Sequence, residues 1–349
     1  MHVRNINEAF HLGLLFFNDE KYYFKRMSRN GMVREYSTPI LISYKFPAER
    51  VLFHAKRNAN PFFHFFEGLW MIAGRNDIAL LKQFNKRMVE YSDDQQTLNG
   101  AYGYRWRHTF GRDQLRQAID LLSKNPNDRR VVLQMWNPEK DLGSTSKDVP
   151  CNTQIMFKVR DLKGIKAVPS PLFDGSVLDM TVINRSNDML WGAFGANVVH
   201  FSMVHEYVAT MAGYGLGRYY HFSNNFHVYE DVFEKFTKEA PQFHADEYEL
   251  GEVKSMPLIS NPYSFYYELQ HYLNLSELHL GVEFSLESKK AKSLFKNKVF
   301  NDVATPMYNA WVNYKENNIK GAIKYAKKIK AEDWKKACVE WLERKKTKV

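Results

Sequence analysis

Cys151 stands in the stretch DVPCNTQ, between a polar loop and a segment of alternating apolar residues. Pro150 holds Val149 in an extended or turn geometry, so the thiol is presented at the entrance of a strand. A cysteine becomes nucleophilic when cations or dipoles favour its thiolate, and Arg129, Arg130 and Arg185 are the candidates for that role. One cysteine alone is more often a buried structural residue, so other residues must decide. Glu67 lies within FFHFFEGLWMI, an apolar setting that raises a carboxyl pKa and suits proton transfer unless the group is paired or exposed. Arg185-Ser186-Asn187-Asp188 follows a strand-like segment and precedes an apolar one, where polar residues either line a site or cap a helix. His227 and Tyr229 alternate along a strand and share a face, as two donors reaching a sugar hydroxyl would, the plainer alternative being a satisfied core histidine.

Other chemistries find little support. CxxC, HExxH, Walker A and GxGxxG patterns are missing, and the histidines do not group with carboxylates at ligand spacing, so no metal is expected. Two cysteines far apart, Cys151 and Cys338, fit a reducing compartment, and no signal peptide or membrane span is read, so a cytoplasmic protein is expected.

The elements that must position these residues follow from periodicity. Residues 61–90 read as two helices broken at Gly74-Arg75-Asn76-Asp77, and Asp113 to Lys124 as an amphipathic helix. VVLQMW, TQIMFKVR and LDMTVINR read as strands. A long apolar helix is expected from Ala193 to Tyr214, then a strand through NNFHVY running into another helix. The pattern weakens after Ala240 and becomes helical again from Pro306. Residues 284–349 hold 17 Lys plus Arg and 7 Asp plus Glu, a net of +10 that accounts for the whole charge of the 349-residue chain. Such a tail suits nucleic acid or an acidic protein, although lysine on helix faces is more often simply solvated.

In their order along the chain these pieces resemble the thymidylate synthase superfamily, which includes the thymidylate synthases and the dUMP, dCMP and CMP hydroxymethylases. The matching stretches, between about Arg29 and Phe236, are FFEGLWMIAG, AYGYRWR, NPNDRRVVLQMWNP, VPCNTQ, NRSND with WGAFGAN, and SNNFHVY. The resemblance implies an α+β fold, a mixed central sheet flanked by helices over residues 1–240, with a basic helical extension over 241–349. It implies Cys151 as the thiolate that adds to pyrimidine C6, and Glu67 and Tyr102 as managers of protons and ordered water. Arg185 and Ser186 would hold the nucleotide phosphate, with Arg129 and Arg130 arriving from the second subunit of a homodimer with shared sites. Paired guanidinium hydrogen bonds suit that task. An N-terminal arginine joins them, Arg29 or Arg34; His227 and Tyr229 would hold the 3′-hydroxyl, and Asp188 the pterin of 5,10-methylenetetrahydrofolate.

Two departures bear on the product. Where the synthases have Pro-Cys-His, this chain has Pro150-Cys151-Asn152. No tryptophan occurs between Trp70 and Trp106, so Met88, Val89 or Tyr91 fill the space where the synthases pack indole on folate. A less shielded methylene favours water over hydride, which gives dUMP hydroxymethylation as the reading, thymidylate synthesis as the second and dCMP or CMP hydroxymethylation as the third. Asn197 takes the uracil-pairing position when counted back from His227; counted forward from Arg185, one extra residue intervenes. A non-catalytic nucleic-acid-binding protein on the same fold is the rival of another class, and a nucleophile beside an anion site speaks against it. Hydroxymethylases of this kind come from bacteriophages with modified DNA, which puts the expected location in the host cytoplasm.

Overall fold

The computed structural model describes residues 1–161, 175–237, 246–278 and 293–346. Its centre is a mixed sheet in the order β1 (His2–Val3), β4 (Ile40–Tyr44), β8 (Gly215–Tyr229), β7 (Ser176–Asp188), β6 (Asn152–Asp161) and β5 (Val132–Gln134). β7 and β8 run parallel, whereas β6 is antiparallel to both β5 and β7. A hairpin of β2 (Tyr23–Ser28) and β3 (Gly31–Tyr36) turns at Arg29-Asn30 and pairs through β3 with the far end of β8. Register does the positioning: Asp188 faces His227, Glu35 faces His227 from the other side, and Asn184 faces both Asn152 and Ser223. Cys151, Arg185, His227 and Arg29, distant in sequence, therefore reach one end of the sheet.

The N-terminal apolar run forms α1 (Ile6–Asn18), capped by the Asn5 side chain and burying Ile6, Phe10, Leu14 and Phe17. In α2 (Pro61–Ala73) proline occupies the first position, where its missing N–H costs nothing, and Gly74 ends the helix at a φ of 77°, a left-handed conformation that favours glycine. A Cβ on Gly103 would lie 1.7 Å from Met71 O. Only glycine lets the turn 102–104 press onto α2, and this brings Tyr102 beside Glu67. The expected helix at 113–124 is α3 (Gln114–Lys124), with Asp113 as its cap.

Three expectations need correction. The second helix of residues 61–90 is two separate turns, Leu81–Phe84 and Met88–Tyr91, because the extended backbone of Asn85 interrupts it. The helix expected from Ala193 is α4 (Asn197–Ala212), since Gly195, at φ −122° and ψ −117°, leaves the helical path. The preceding residues 189–196 form a wide π-type turn, which holds one residue more than an α-helical ring. Between Ala240 and Pro306, where no element was expected, α6 (Pro262–Leu278) begins on a proline. It follows α5 (Glu230–Thr237), the helix expected after the NNFHVY strand.

The last helices are α7 (Thr305–Lys315), α8 (Ile319–Ala326) and α9 (Glu332–Lys346). Trp311 and Trp341 meet Phe62 at 5.4 and 5.7 Å, and Trp334 meets Phe65 at 5.2 Å. At about 100° per residue, those phenylalanines lie on the side of α2 turned away from Glu67. The extension thus buttresses the helix that carries the carboxylate, while Lys315, Lys320, Lys324, Lys327 and Lys330 are exposed. The boundary expected at residue 240 lies outside the described residues.

Candidate active site

Cys151 immediately precedes β6, and Arg185 straps it from the neighbouring strand. The Arg185 backbone N–H donates to Cys151 O at 2.9 Å, while its guanidinium donates to Pro150 O and Val149 O, each at 3.0 Å. Burial pushes the Cys151 thiol above its usual pKa; Arg185 and Arg29 pull it back, and Asp148 and Asp188 oppose them. Desolvation thus outweighs the pull of Arg185 and Arg29. Arg129 and Arg130 are exposed and line neither cavity described below, and the Arg130 side chain, 87% exposed, is bound to Asp128 at 3.0 Å.

Two cavities lie at this end of the sheet, one lined by Ser186, the neighbour of Arg185, and the other by Asp148 and Tyr102. The larger, of about 320 Å³, is lined by Arg29, Ser186, Asn225, His227 and Tyr229 among others. His227 Nδ1 lies 2.7 Å from Asn225 Oδ1, and burial lowers the imidazole pKa. A neutral ring donating from Nδ1 leaves Nε2 as an acceptor for a hydroxyl. The two N-terminal arginines differ in their packing. Arg34 is bound to Glu230 at 2.9 Å and Phe17 O at 2.8 Å between the rings of Tyr23 and Phe233, whereas Arg29 faces the cavity.

The second cavity, of about 150 Å³, is lined by Glu67, Trp70, Met88, Tyr91, Tyr102, Asp148, Asn197 and His200. His200 Nε2 stands 3.1 Å from Glu67 Oε2, yet both atoms are buried and out of line for a hydrogen bond. Tyr102 stacks on Phe201 with centroids 5.6 Å apart; burial raises its pKa, Cys151 and Asp148 add to the rise, and the backbone N–H groups of Asn152 and Cys151 oppose it. Cys151 itself lines neither cavity, but its thiol feels Arg29, which lines the first, and Asp148, which lines the second.

Asn197 is held by a relay. Its Nδ2 donates to Asn187 Oδ1 at 3.1 Å, and Asn187 Nδ2 reaches His221 Nε2 at 2.9 Å and Ser223 Oγ at 3.2 Å. Full burial lowers the His221 pKa to about 3, so the ring is neutral. Asp188 accepts from Trp191 N at 2.6 Å through Oδ1, and burial lifts its pKa to about 6 despite that bond and Arg57. Its Oδ2 is buried without a hydrogen-bond partner. Among the described residues no His, Cys, Asp and Glu cluster suits a metal ion.

Residues 43–257 match the thymidylate synthase family model. The chain belongs to the thymidylate synthase family. It is 41% identical over 338 residues to a deoxyuridylate hydroxymethyltransferase of Pseudomonas phage M6, covering 92% of this chain and 88% of the relative. A second protein of that description, from Bacillus phage SP01, is 38% identical over 55% of this chain and half of its own. A thymidylate synthase of Lactococcus lactis subsp. lactis (strain IL1403) is 30% identical over 48% of this chain and 57% of its own.

Sequence reasoning gave no individual role to five polar or aromatic residues in and behind these cavities. Asp148 and His200 line the second cavity with Glu67, Trp70 lines it with its Nε1 bound to Asp77 O at 3.0 Å, and Asn187 and His221 form the relay. Asp148 and Asn187 stood inside quoted motifs; His200 and His221, in apolar segments, read as core. No helix among the described residues is long and apolar enough to cross a membrane.

Proposed function

We propose that this thymidylate synthase family member hydroxymethylates C5 of dUMP, with 5,10-methylenetetrahydrofolate as the one-carbon donor. The observation that carries the reading is a thiol under the influence of both Arg29, in a basic and hydroxyl-lined cavity, and Asp148, in a cavity that also holds Glu67 and Tyr102. The relatives named above support the same chemistry. Arg29, Arg185 and Ser186 bind the phosphate, and His227 and Tyr229 take the 3′-hydroxyl. Cys151 adds to C6, which makes C5 a nucleophile toward the methylene carbon of the folate. Glu67 and Tyr102 move protons at the pyrimidine edge, and Asp188 orients the pterin against Met88 and Tyr91. Loss of the C5 proton expels the folate and leaves a methylene that takes up water. Tyr91, 46% exposed, leaves the cavity mouth accessible to that water.

The reading includes a homodimer. Alternate side chains of β8, among them Leu216, Tyr220 and Phe222, are part-exposed beside Leu41 of β4, an apolar sheet face suited to a second copy. Arg129 and Arg130 then serve the partner's phosphate. A monomeric mass by light scattering removes this part.

A second reading, thymidylate synthesis, draws on Trp70, an indole already in the cavity. Mass spectrometry of the nucleotide made from dUMP and methylenetetrahydrofolate separates the two. The expected product is 5-hydroxymethyl-dUMP with tetrahydrofolate, and thymidylate with an equal amount of dihydrofolate defeats the proposal. The phosphate assignment has its own check. Arg29→Ala should raise the KM for dUMP by about 10- to 100-fold, the worth of a charge-assisted hydrogen bond, with kcat little changed. Arg34→Ala should instead lower the unfolding midpoint, and an unchanged KM in the first variant would return the role to another cation.

A further inference from the structure

We propose that Asp148 accepts the proton of the water that adds to the exocyclic methylene, an assignment that rests on the hydroxymethylase reading. Asp148 lies three residues before Cys151 and lines the same cavity as Glu67, Tyr102 and Asn197. Its seat is built. Oδ2 accepts from Gly100 N at 2.7 Å, its backbone O accepts from Asn99 Nδ2 at 3.0 Å, and its backbone N donates to Ser146 Oγ at 3.2 Å. Oδ1 has no hydrogen-bond partner among the described residues, so one carboxylate oxygen is left for a water. A Cβ on Gly100 would come 2.7 Å from that Oδ1, so the carboxylate occupies space that any larger residue would take. Arg105 fixes the loop beneath, donating to Asn99 O at 2.8 Å and to both carboxylate oxygens of buried Asp141 at 2.6 and 2.8 Å.

This carboxyl works against the first half of the reaction. It raises the pKa of Cys151 and Tyr102, and burial, Asp93 and Glu67 raise its own. An apolar side chain in the same seat would ease thiolate formation and avoid the desolvation cost. A step that needs a base offsets that cost, and water addition is such a step. Glu67 beside His200 and Asp148 beside Gly100 occupy different surroundings, the arrangement by which two carboxyls take separate proton tasks.

The step balances. The water oxygen bonds to the methylene carbon, its proton passes to Asp148, and the electron pair of the exocyclic double bond moves through C5 to the C4 oxygen as an enolate. Its return re-forms C5=C6 and breaks the C6–S bond, releasing Cys151 as thiolate. Asp148 then loses its proton to solvent.

The test follows tritium release from C5-labelled dUMP and the product mass in wild type, Asp148→Asn and Gly100→Ala, the last retaining the carboxyl but crowding it. Wild type should make hydroxymethyl product in step with tritium. Asp148→Asn should give a burst of about one tritium per subunit and then product about 10²-fold more slowly, the usual worth of a general base. Added thiol should divert its stalled methylene into a thioether. The wild-type rate should rise as pH deprotonates Asp148, facing Glu67, Tyr102, Cys151, Arg105 and Asp93, and the Asn variant should lack that limb. Gly100→Ala should show the same split, and it decides the matter if Asp148→Asn does not fold. Wild-type product rate and pH profile in Asp148→Asn, or loss of the tritium burst together with product in a folded variant, overturns the assignment. Thymidylate from wild type would instead defeat the underlying reading before any variant is compared.

Discussion

Replacing Cys151 with alanine is expected to lower product formation by about 10⁴-fold or more and to abolish tritium release from C5-labelled dUMP with it. Covalent addition at C6 precedes every later step, and the other cysteine offers no substitute. Cys338 is buried in α9 with its thiol well above the usual range through burial, so Cys338→Ala should leave turnover alone. The pH dependence has a definite sign. Burial holds the Cys151 thiol above its ordinary pKa, so the thiolate fraction, and tritium release with it, should grow toward alkaline pH. Arg185→Ala removes the largest opposing influence and should move that limb further up, besides freeing the strap on Pro150 and Val149. Retained tritium release in Cys151→Ala would remove the covalent mechanism.

Much of this site was legible because its residues sit in contiguous motifs whose local structure is set by local forces. Pro150 before Cys151, alternation through His227 and Tyr229, and the cap at Asp113 each act within a few residues. What was not legible depends on pairing between distant segments. The β2–β3 hairpin that delivers Arg29 is held by β8, about two hundred residues later, and β2 itself is mostly exposed. Nothing near Arg29 or Arg34 indicates which one a glutamate from α5 will capture. α6 lies where the apolar periodicity is weak, and its one sequence signal is Pro262, since proline is at home in a first turn. The thiol's raised pKa likewise arises from burial by the assembled fold, which no count of nearby arginines reveals. Asp148 reads as an ordinary loop aspartate until Gly100 is brought against it.

Base choice should reverse on Asn197→Asp, and the relay behind Asn197 gives the reason. Asn187 Nδ2 lies against His221 Nε2, which Asn184 Nδ2 also approaches, and donates to Ser223 Oγ, so Asn187 Oδ1 is the atom turned toward Asn197. Asn197 must then donate one N–H to Asn187. It presents its second N–H and its Oδ1 to the cavity, the complement of O4 and N3–H on uracil. Cytosine offers N3 as acceptor and an amino group as donor. Accepting it would need the Asn197 amide turned over, with Oδ1 taking the amino group but set against Asn187 Oδ1, which loses its donor. At about 1–3 kcal/mol for an unpaired buried group, that loss is worth about 5-fold to 150-fold in kcat/KM. Asn197→Asp should therefore cut kcat/KM for dUMP by about 10²-fold and raise that for dCMP, because a protonated carboxyl accepts from the amino group and donates to N3. Asn187 must rotate to serve the new carboxyl, so the gain on dCMP should be smaller than the loss on dUMP. Tritium release from the two C5-labelled nucleotides measures both, and an unchanged ratio, or a wild type that already prefers dCMP, would sink the uracil assignment.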